Sequence, residues 1–205
     1  MSSVQKKPDF FRGVEYKASY VAVGDCPSSA AIPAVAFTGR SNSGKSSLLS
    51  AVCDHKNLAR ASSTAGKTRT INYFTVPPSS SGGAGMYLVD LPGFGYAAIS
   101  HSERDQIRAM VNEYLEKQAG VKLLVIVLDA RREPASEEIA IMQWCEVQNR
   151  SYVFAVTKWD KLNNKERSQV LHRYKALGVP FVPLSSTTRY GLAELISRMR
   201  AKSKP

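Results

Sequence analysis

Short apolar runs alternate with longer amphipathic stretches along most of the chain, and the two periods predict strands and helices in turn. A strand over 34–38 and a helix over 45–53 come first, followed by a polar segment over 54–70. Strands over 71–76 and 86–90 flank a Pro/Ser/Gly segment, 77–85, whose composition suits a flexible hairpin connection. A second polar segment, 91–101, leads into a helix over 102–118, where Ser102 and Asp105 resemble a capping box with Asp in place of Glu. Strand 122–128, helix 136–148, strand 152–156, helix 163–176, strand 180–184 and helix 191–202 complete the order. Residues 123–128 are apolar without interruption, as expected of a central parallel strand covered on both faces. The alternation implies an α/β, doubly wound, mostly parallel six-stranded sheet with one antiparallel edge strand from the 71–90 hairpin. Residues 1–30 are expected to form an N-terminal extension that docks through Phe10, Phe11, Tyr16 and Tyr20, and 31–205 a single domain.

The polar loops at the strand ends carry the candidate chemistry. Gly39, Arg40, Ser41, Asn42, Ser43, Gly44, Lys45 and Ser46 fit the phosphate-loop pattern of Gly, four free positions, Gly, Lys and Ser, between a strand and a helix. Loop N–H groups and the positive end of the helix dipole would surround a β-phosphate. Lys45 adds a point charge between β- and γ-phosphates, and Ser46 offers a hydroxyl to Mg²⁺. Asp90, Leu91, Pro92 and Gly93 follow a second strand: Asp90 can hold the Mg²⁺ water shell, and the Gly93 N–H can reach a γ-phosphate. Between these, Gly66, Lys67, Thr68, Arg69 and Thr70 can lend a second hydroxyl to the metal. Lys45, Thr68 and Gly93 are thus the expected catalytic contacts, with Ser46 and Thr68 the metal ligands.

The base is read later in the chain. Thr157, Lys158, Trp159 and Asp160 stand at the carboxyl end of a strand, where ligands of open α/β sheets bind. A carboxylate there accepts two hydrogen bonds from guanine N1–H and its exocyclic amine, while the Lys158 stem covers the ring. Adenine has no N1–H to offer. Ser185, Ser186 and Thr187 can meet guanine O6 through backbone N–H groups. Five elements in this order point to GTP and GDP.

Composition narrows the remaining classes. The 205 residues are 43% hydrophobic, with a mean hydropathy of −0.23, enough for one α/β domain with a substantial core. No run of eighteen apolar residues and no secretory leader are visible, so a cytoplasmic protein is expected. Cys26, Cys53 and Cys145 lack metal-site spacing and read as reduced thiols. Net charge is +11, and from residue 157 onward eleven Lys/Arg face three acids, a net of +8. That excess argues for a polyanion partner, with nucleic acid ahead of an anionic membrane surface. Arg189, Arg198, Arg200, Lys202 and Lys204 are expected to form one basic face away from the nucleotide.

The motifs together resemble the EngB (YihA/YsxC) GTP-binding proteins of the Era/EngA/MnmE-like GTPase superfamily. The resemblance rests on residues 39–47 (through Ser47), 66–74, 90–97, 129–134 and 157–161, and spans nearly the whole chain. It implies a phosphate-loop NTPase fold of the Ras-like G-domain type, a monomer, and a role in large ribosomal subunit assembly linked to cell division and septation. The large subunit or its rRNA is the implied partner. Ser43, where the family usually carries Val or Ala, and the longer 77–85 stretch depart from its pattern. Ras-type GTPases place a water-orienting glutamine where this chain has Phe94, so hydrolysis is expected to be slow. Arg69 is a candidate arginine finger in cis. Asn42 matches the asparagine that coordinates K⁺ in potassium-stimulated relatives, or else holds the loop by its own hydrogen bonding. A phosphate-loop kinase or ATPase would not need residues 157–160. A nucleotide-independent RNA binder would leave five ordered nucleotide motifs without purpose.

Overall fold

The computed structural model describes residues 11–27, 32–55, 58, 70–78, 85–94 and 100–202. Its strands are β1 (Glu15–Tyr20), β2 (Ala34–Gly39), β3 (Ile71–Val76), β4 (Met86–Asp90), β5 (Val121–Asp129), β6 (Tyr152–Thr157) and β7 (Phe181–Pro183). Its helices are α1 (Lys45–Val52), α2 (His101–Lys117), α3 (Ser136–Val147), α4 (Asn164–Ala176) and α5 (Leu192–Lys202). The strands form one seven-stranded sheet in the order β1-β3-β4-β2-β5-β6-β7. From β4 to β7 every pairing is parallel.

Side-chain alternation along β5 explains the layering. Leu123, Val125 and Val127 belong to a core shared with Leu48 and Val52 of α1 and Leu195 and Met199 of α5. Leu124, Ile126 and Leu128 face the other way, onto Tyr114 of α2, Cys145 of α3 and Tyr174 of α4. Both faces are therefore covered, as crossover helices require of a parallel sheet. Among the described residues no helix is long and apolar enough to cross a membrane. All three cysteines are free and buried, and burial pushes the Cys53 and Cys145 thiols up to about 12.

Two details differ from the sequence expectation. The sheet has seven strands rather than six, because Glu15–Tyr20, read above as part of a docking extension, pairs antiparallel with β3. The antiparallel strand β3 consequently lies inside the sheet, between β1 and β4, and not at its edge. Only half of β1 is even partly covered, so its alternation is faint. Tyr16 and Tyr20 nevertheless dock edge-on against Phe74 and Tyr73, at 5.8 and 5.4 Å between ring centroids. Phe11 is buried in the same core as α1, while Phe10 lies outside the described residues.

The second difference is the start of α2. Its N-cap is Ser100, whose hydroxyl accepts from Glu103 N–H at 3.2 Å while the Glu103 carboxylate accepts from Ser100 N–H at 2.9 Å. Glutamate, one methylene longer than aspartate, spans back to the cap. Asp105, assigned that task above, instead pairs with Arg108 at 3.5 Å. Ser100→Ala should lower stability by about 1 kcal/mol, whereas Ser102→Ala should change it by less than about 0.5 kcal/mol. Chemical unfolding of the two variants checks the assignment.

Candidate guanine-nucleotide site

The carboxyl ends of β2, β4, β5 and β6 deliver their loops to one edge of the sheet. The loop after β2 turns through Asn42 (φ 63°) and Gly44 (φ 94°), and Gly44 caps α1. Glycine is required at 39, where an added Cβ would stand 2.4 Å from the Val127 carbonyl oxygen of the neighbouring strand. At 44 it would meet the Thr157 hydroxyl at 3.2 Å. The loop and the strand ends therefore approach at backbone contact, which is what leaves the loop amides able to close around an anion.

Lys45, in the first turn of α1, forms an ion pair with the buried Asp90 at the end of β4. Ser46 and Ser47 are exposed beside it, and Ser43 is buried, with no hydrogen-bond partner for its hydroxyl among the described residues. Beyond Asp90 the chain stays bound to the loop. Leu91 N–H donates to Phe37 C=O at 2.9 Å, Phe94 N–H to Gly39 C=O at 3.3 Å, and Ser41 N–H to Phe94 C=O at 2.9 Å. Leu91 and Gly93 are buried and Pro92 half-buried along this path. The Phe94 ring lines an apolar groove with Ile107, Val111 and Ile141, between α2 and α3. Thr70 is buried just before β3, whereas Gly66, Lys67, Thr68 and Arg69 lie outside the described residues.

The segment 157–160, the candidate base reader, is bonded to the same loop. The Thr157 hydroxyl donates to Ser43 C=O at 2.5 Å. Lys158, itself in the left-handed region (φ 58°), donates from Nζ to Asn42 C=O at 2.8 Å. Trp159 is buried, with the Arg167 guanidinium 5.9 Å from its ring centroid, and its N–H donates to Leu184 C=O at 3.1 Å. Asp160 accepts from the buried Ser185 hydroxyl at 2.6 Å, a bond that lowers its pKa below the ordinary carboxylate value. Ser186 and Thr187 follow at the surface, while the Ser185 N–H is taken by Tyr190 C=O at 3.0 Å.

Asp129, at the end of β5, was given no role from its residue type. Its buried carboxylate receives the Arg131 side chain at 2.9 and 2.7 Å, the Arg131 N–H at 3.0 Å, and Lys158 Nζ at 3.0 Å. Burial works to raise its pKa, but the Arg131 hydrogen bonds and Lys158 outweigh it and hold the carboxyl well below the usual range. The available signal was positional: Asp129 is an acid ending an apolar strand, like Asp90. Because its folded pKa is depressed, Asp129 stabilises the fold above its unfolded pKa of about 3.9, and that stability is lost as pH falls through the folded value. Asp129→Asn should lower unfolding stability at pH 7, and its difference from wild type should shrink steadily below pH ~4. Unfolding curves from pH 7 to 2 provide the check.

Comparison with known proteins bears on the family and the fold. A family model described as a 50S ribosome-binding GTPase matches residues 34–158. A probable GTP-binding protein EngB of Lactobacillus helveticus is 38% identical over 170 residues, which cover 80% of this chain and 84% of that protein. The corresponding protein of Chlorobaculum parvum is 39% identical over 155 residues, covering 76% and 77%. The crystal structure of a probable GTP-binding protein EngB aligns with a TM-score of 0.66 at 22% identity, over 81% of this chain and 96% of that one, a likeness of fold. The chain belongs to the EngB family of GTP-binding proteins and is a GTPase of the α/β phosphate-loop fold.

Proposed function

We propose that this GTPase is a slow guanine-nucleotide switch that acts in the cytoplasm on assembly of the large ribosomal subunit, a role linked to cell division and septation. The carrying observation is the direct bonding of Thr157 and Lys158 to the carbonyls of Ser43 and Asn42, which sets base reader and phosphate loop at one fixed spacing. In this reading the amides of Asn42 to Ser46 hold the β-phosphate, and Lys45 turns from Asp90 to the β- and γ-phosphates. Asp160, oriented by Ser185, accepts from guanine N1–H and the exocyclic amine. The loop N–H facing guanine O6 is that of Ser186 or Thr187, since the Ser185 amide is already engaged.

The residues suit Mg²⁺. Ser46 and Asp90 are hard oxygen donors, and among the described residues no cluster of three His, Cys, Asp or Glu side chains forms a cage of its own. Magnesium is commonly held this way, by one or two protein oxygens with phosphates and water supplying the rest. Ser46, joined by Thr68 in the GTP state, would ligate it and Asp90 would hold its water shell. Bound Mg²⁺ neutralises charge on the phosphate oxygens. The Gly93 N–H senses the γ-phosphate, and its release on hydrolysis frees the following segment.

Slow chemistry follows from Phe94. A phenyl ring neither donates nor accepts the hydrogen bond that would orient water, and its backbone is bonded to Gly39 and Ser41. The charge supplied elsewhere by an arginine finger would come from a partner, from Arg69, or from K⁺ held at Asn42. The exposed Asn42 side chain at the loop surface is accessible to such an ion. The description of the matched family as 50S ribosome-binding and the +11 net charge support the ribosomal partner.

Asp160→Asn should exchange guanine for xanthine, because an amide N–H meets the xanthine C2 carbonyl. GTP affinity should fall by roughly 10²-fold or more, since the guanine donors lose their acceptor, while xanthosine triphosphate affinity rises. Competition titrations measure both, and an unchanged preference for GTP would overturn the base-reading assignment. If K⁺ completes the site, hydrolysis will run faster in potassium than in sodium at equal ionic strength, and Asn42→Ala will abolish the difference. Equal wild-type rates in the two salts would leave Asn42 as a loop-shaping residue.

A further inference from the structure

The basic residues of the last quarter of the chain do not assemble as their order suggests. Arg189 lies before α5 and pairs with Asp54 beyond α1, at 2.5 Å. Arg200 is half-buried, and Lys204 lies outside the described residues. Arg198 and Lys202, on the exposed side of α5, are joined by a residue from another element: Arg150, in the turn between α3 and β6. These three cations line a cleft of about 400 Å³ at the amino ends of β5 and β6, together with Tyr152 and Pro180. Among the described residues no acidic side chain lines it.

Cations at the end of α5 complement the negative pole of its dipole, which accounts for Lys202. It does not account for Arg150, whose Nη1 is held at the cleft by the carbonyls of Ala119 and Val121, at 3.4 and 3.5 Å. Arg198 pairs with Glu194 on the same helix at 2.8 Å, an exposed i,i+4 contact that phosphate can replace. The neighbouring acid Glu146 accepts the Tyr152 hydroxyl at 2.7 Å. An open cleft lined by three cations and an aromatic residue matches a single nucleic-acid strand, with phosphates on the guanidinium and ammonium groups. Among the described residues none of the large exposed hydrophobic side chains, which a bilayer would take up, lines it.

We infer that this cleft binds the phosphate backbone of an RNA strand, and that it is the contact surface through which the protein meets the ribosome; the inference rests on the ribosomal reading above. The cleft and the nucleotide site lie at opposite ends of β6. Tyr152 lines the former and Thr157 abuts the phosphate loop, a separation of roughly 17 Å at 3.3 Å per residue. RNA can therefore bind without displacing nucleotide.

The test uses the full chain and a single-stranded RNA dodecamer, with binding followed by fluorescence anisotropy across a salt series, and GDP affinity measured in parallel. Combined Arg150→Gln, Arg198→Gln and Lys202→Gln should weaken RNA binding at least tenfold and flatten the slope of log affinity against log salt by about two units. GDP affinity should stay unchanged. A control of equal charge, Arg108→Gln, Arg132→Gln and Lys165→Gln, should retain both the affinity and the slope within twofold. Arg198→Gln with Lys202→Gln alone should give most of the loss, which separates binding from any misfolding caused at Arg150. RNA binding and large-subunit co-sedimentation that the triple substitution leaves unaltered would overturn the cleft while leaving the ribosomal partner standing. Failure of the wild type to co-sediment with large-subunit particles would overturn the partner assignment itself. Binding by the cleft to phosphatidylglycerol vesicles, with no RNA binding, would overturn RNA as its occupant.

Discussion

Two hydrogen bonds across more than a hundred residues of sequence govern the site: Thr157 to the carbonyl of Ser43 and Lys158 to that of Asn42. Each joins the segment proposed to read the base to the loop proposed to hold phosphate. Their geometry depends on the sheet, because β2 and β6 flank β5 in parallel register and end at the same edge. Left-handed backbone also occurs here. Asn42, Gly44 and Lys158 all have positive φ, and the first and last are bonded to each other. For a non-glycine residue such a conformation costs on the order of 1–3 kcal/mol, less for Asn, and persists where surrounding contacts over-determine it. The buried strand ends and the clamp supply those contacts.

Electrostatics at the site follows a related logic. Asp90 and Asp129 are buried carboxylates at the ends of β4 and β5, the two parallel strands that flank β2, and each is matched to a lysine: Lys45 for the first, Lys158 for the second. A buried charge without a partner would be strongly destabilising, so these pairs keep the loop intact. They differ in what they can do next. Lys158 is held by Asp129 and a backbone carbonyl together, which favours a fixed support for the base. Lys45 is held by a carboxylate, and in the proposed function incoming phosphate and Mg²⁺ would exchange partners with the pair without leaving either ion alone.

Much of the fold was legible because a doubly covered parallel sheet writes itself as uninterrupted apolar runs. Strands 71–76 and 86–90 have the expected bounds, and the β5 run at 123–128 lies within Val121–Asp129. The edge strand β1 was not legible, since Glu-Tyr-Lys-Ala-Ser-Tyr is half-exposed and its two tyrosines pack on opposite rings. The α2 cap was misplaced by two residues because residue type was weighed without side-chain reach, and only Glu103 spans the distance to Ser100. At the site, loop chemistry named the polar residues but not their contacts. Asp129 meets Arg131 and Lys158, contacts that its place in the 129–134 stretch does not specify. Arg150 joins Arg198 and Lys202 only through the α3–β6 turn, a proximity that charge counting along the chain cannot see.

The central claim is that the clamp presents one preformed site in which base and phosphate are recognised together. Calorimetric titration with GDP and with ADP, on wild type and on Thr157→Val, tests it most directly. Wild type should prefer GDP by roughly 10⁴-fold or more, because adenine offers Asp160 no N1–H donor. Thr157→Val, which removes the bond to Ser43 and touches no ligand group, should weaken GDP while leaving the weak ADP binding almost unchanged. Comparable affinities for GDP and ADP in the wild type, or a Thr157→Val variant that binds GDP as the wild type does, would contradict the account.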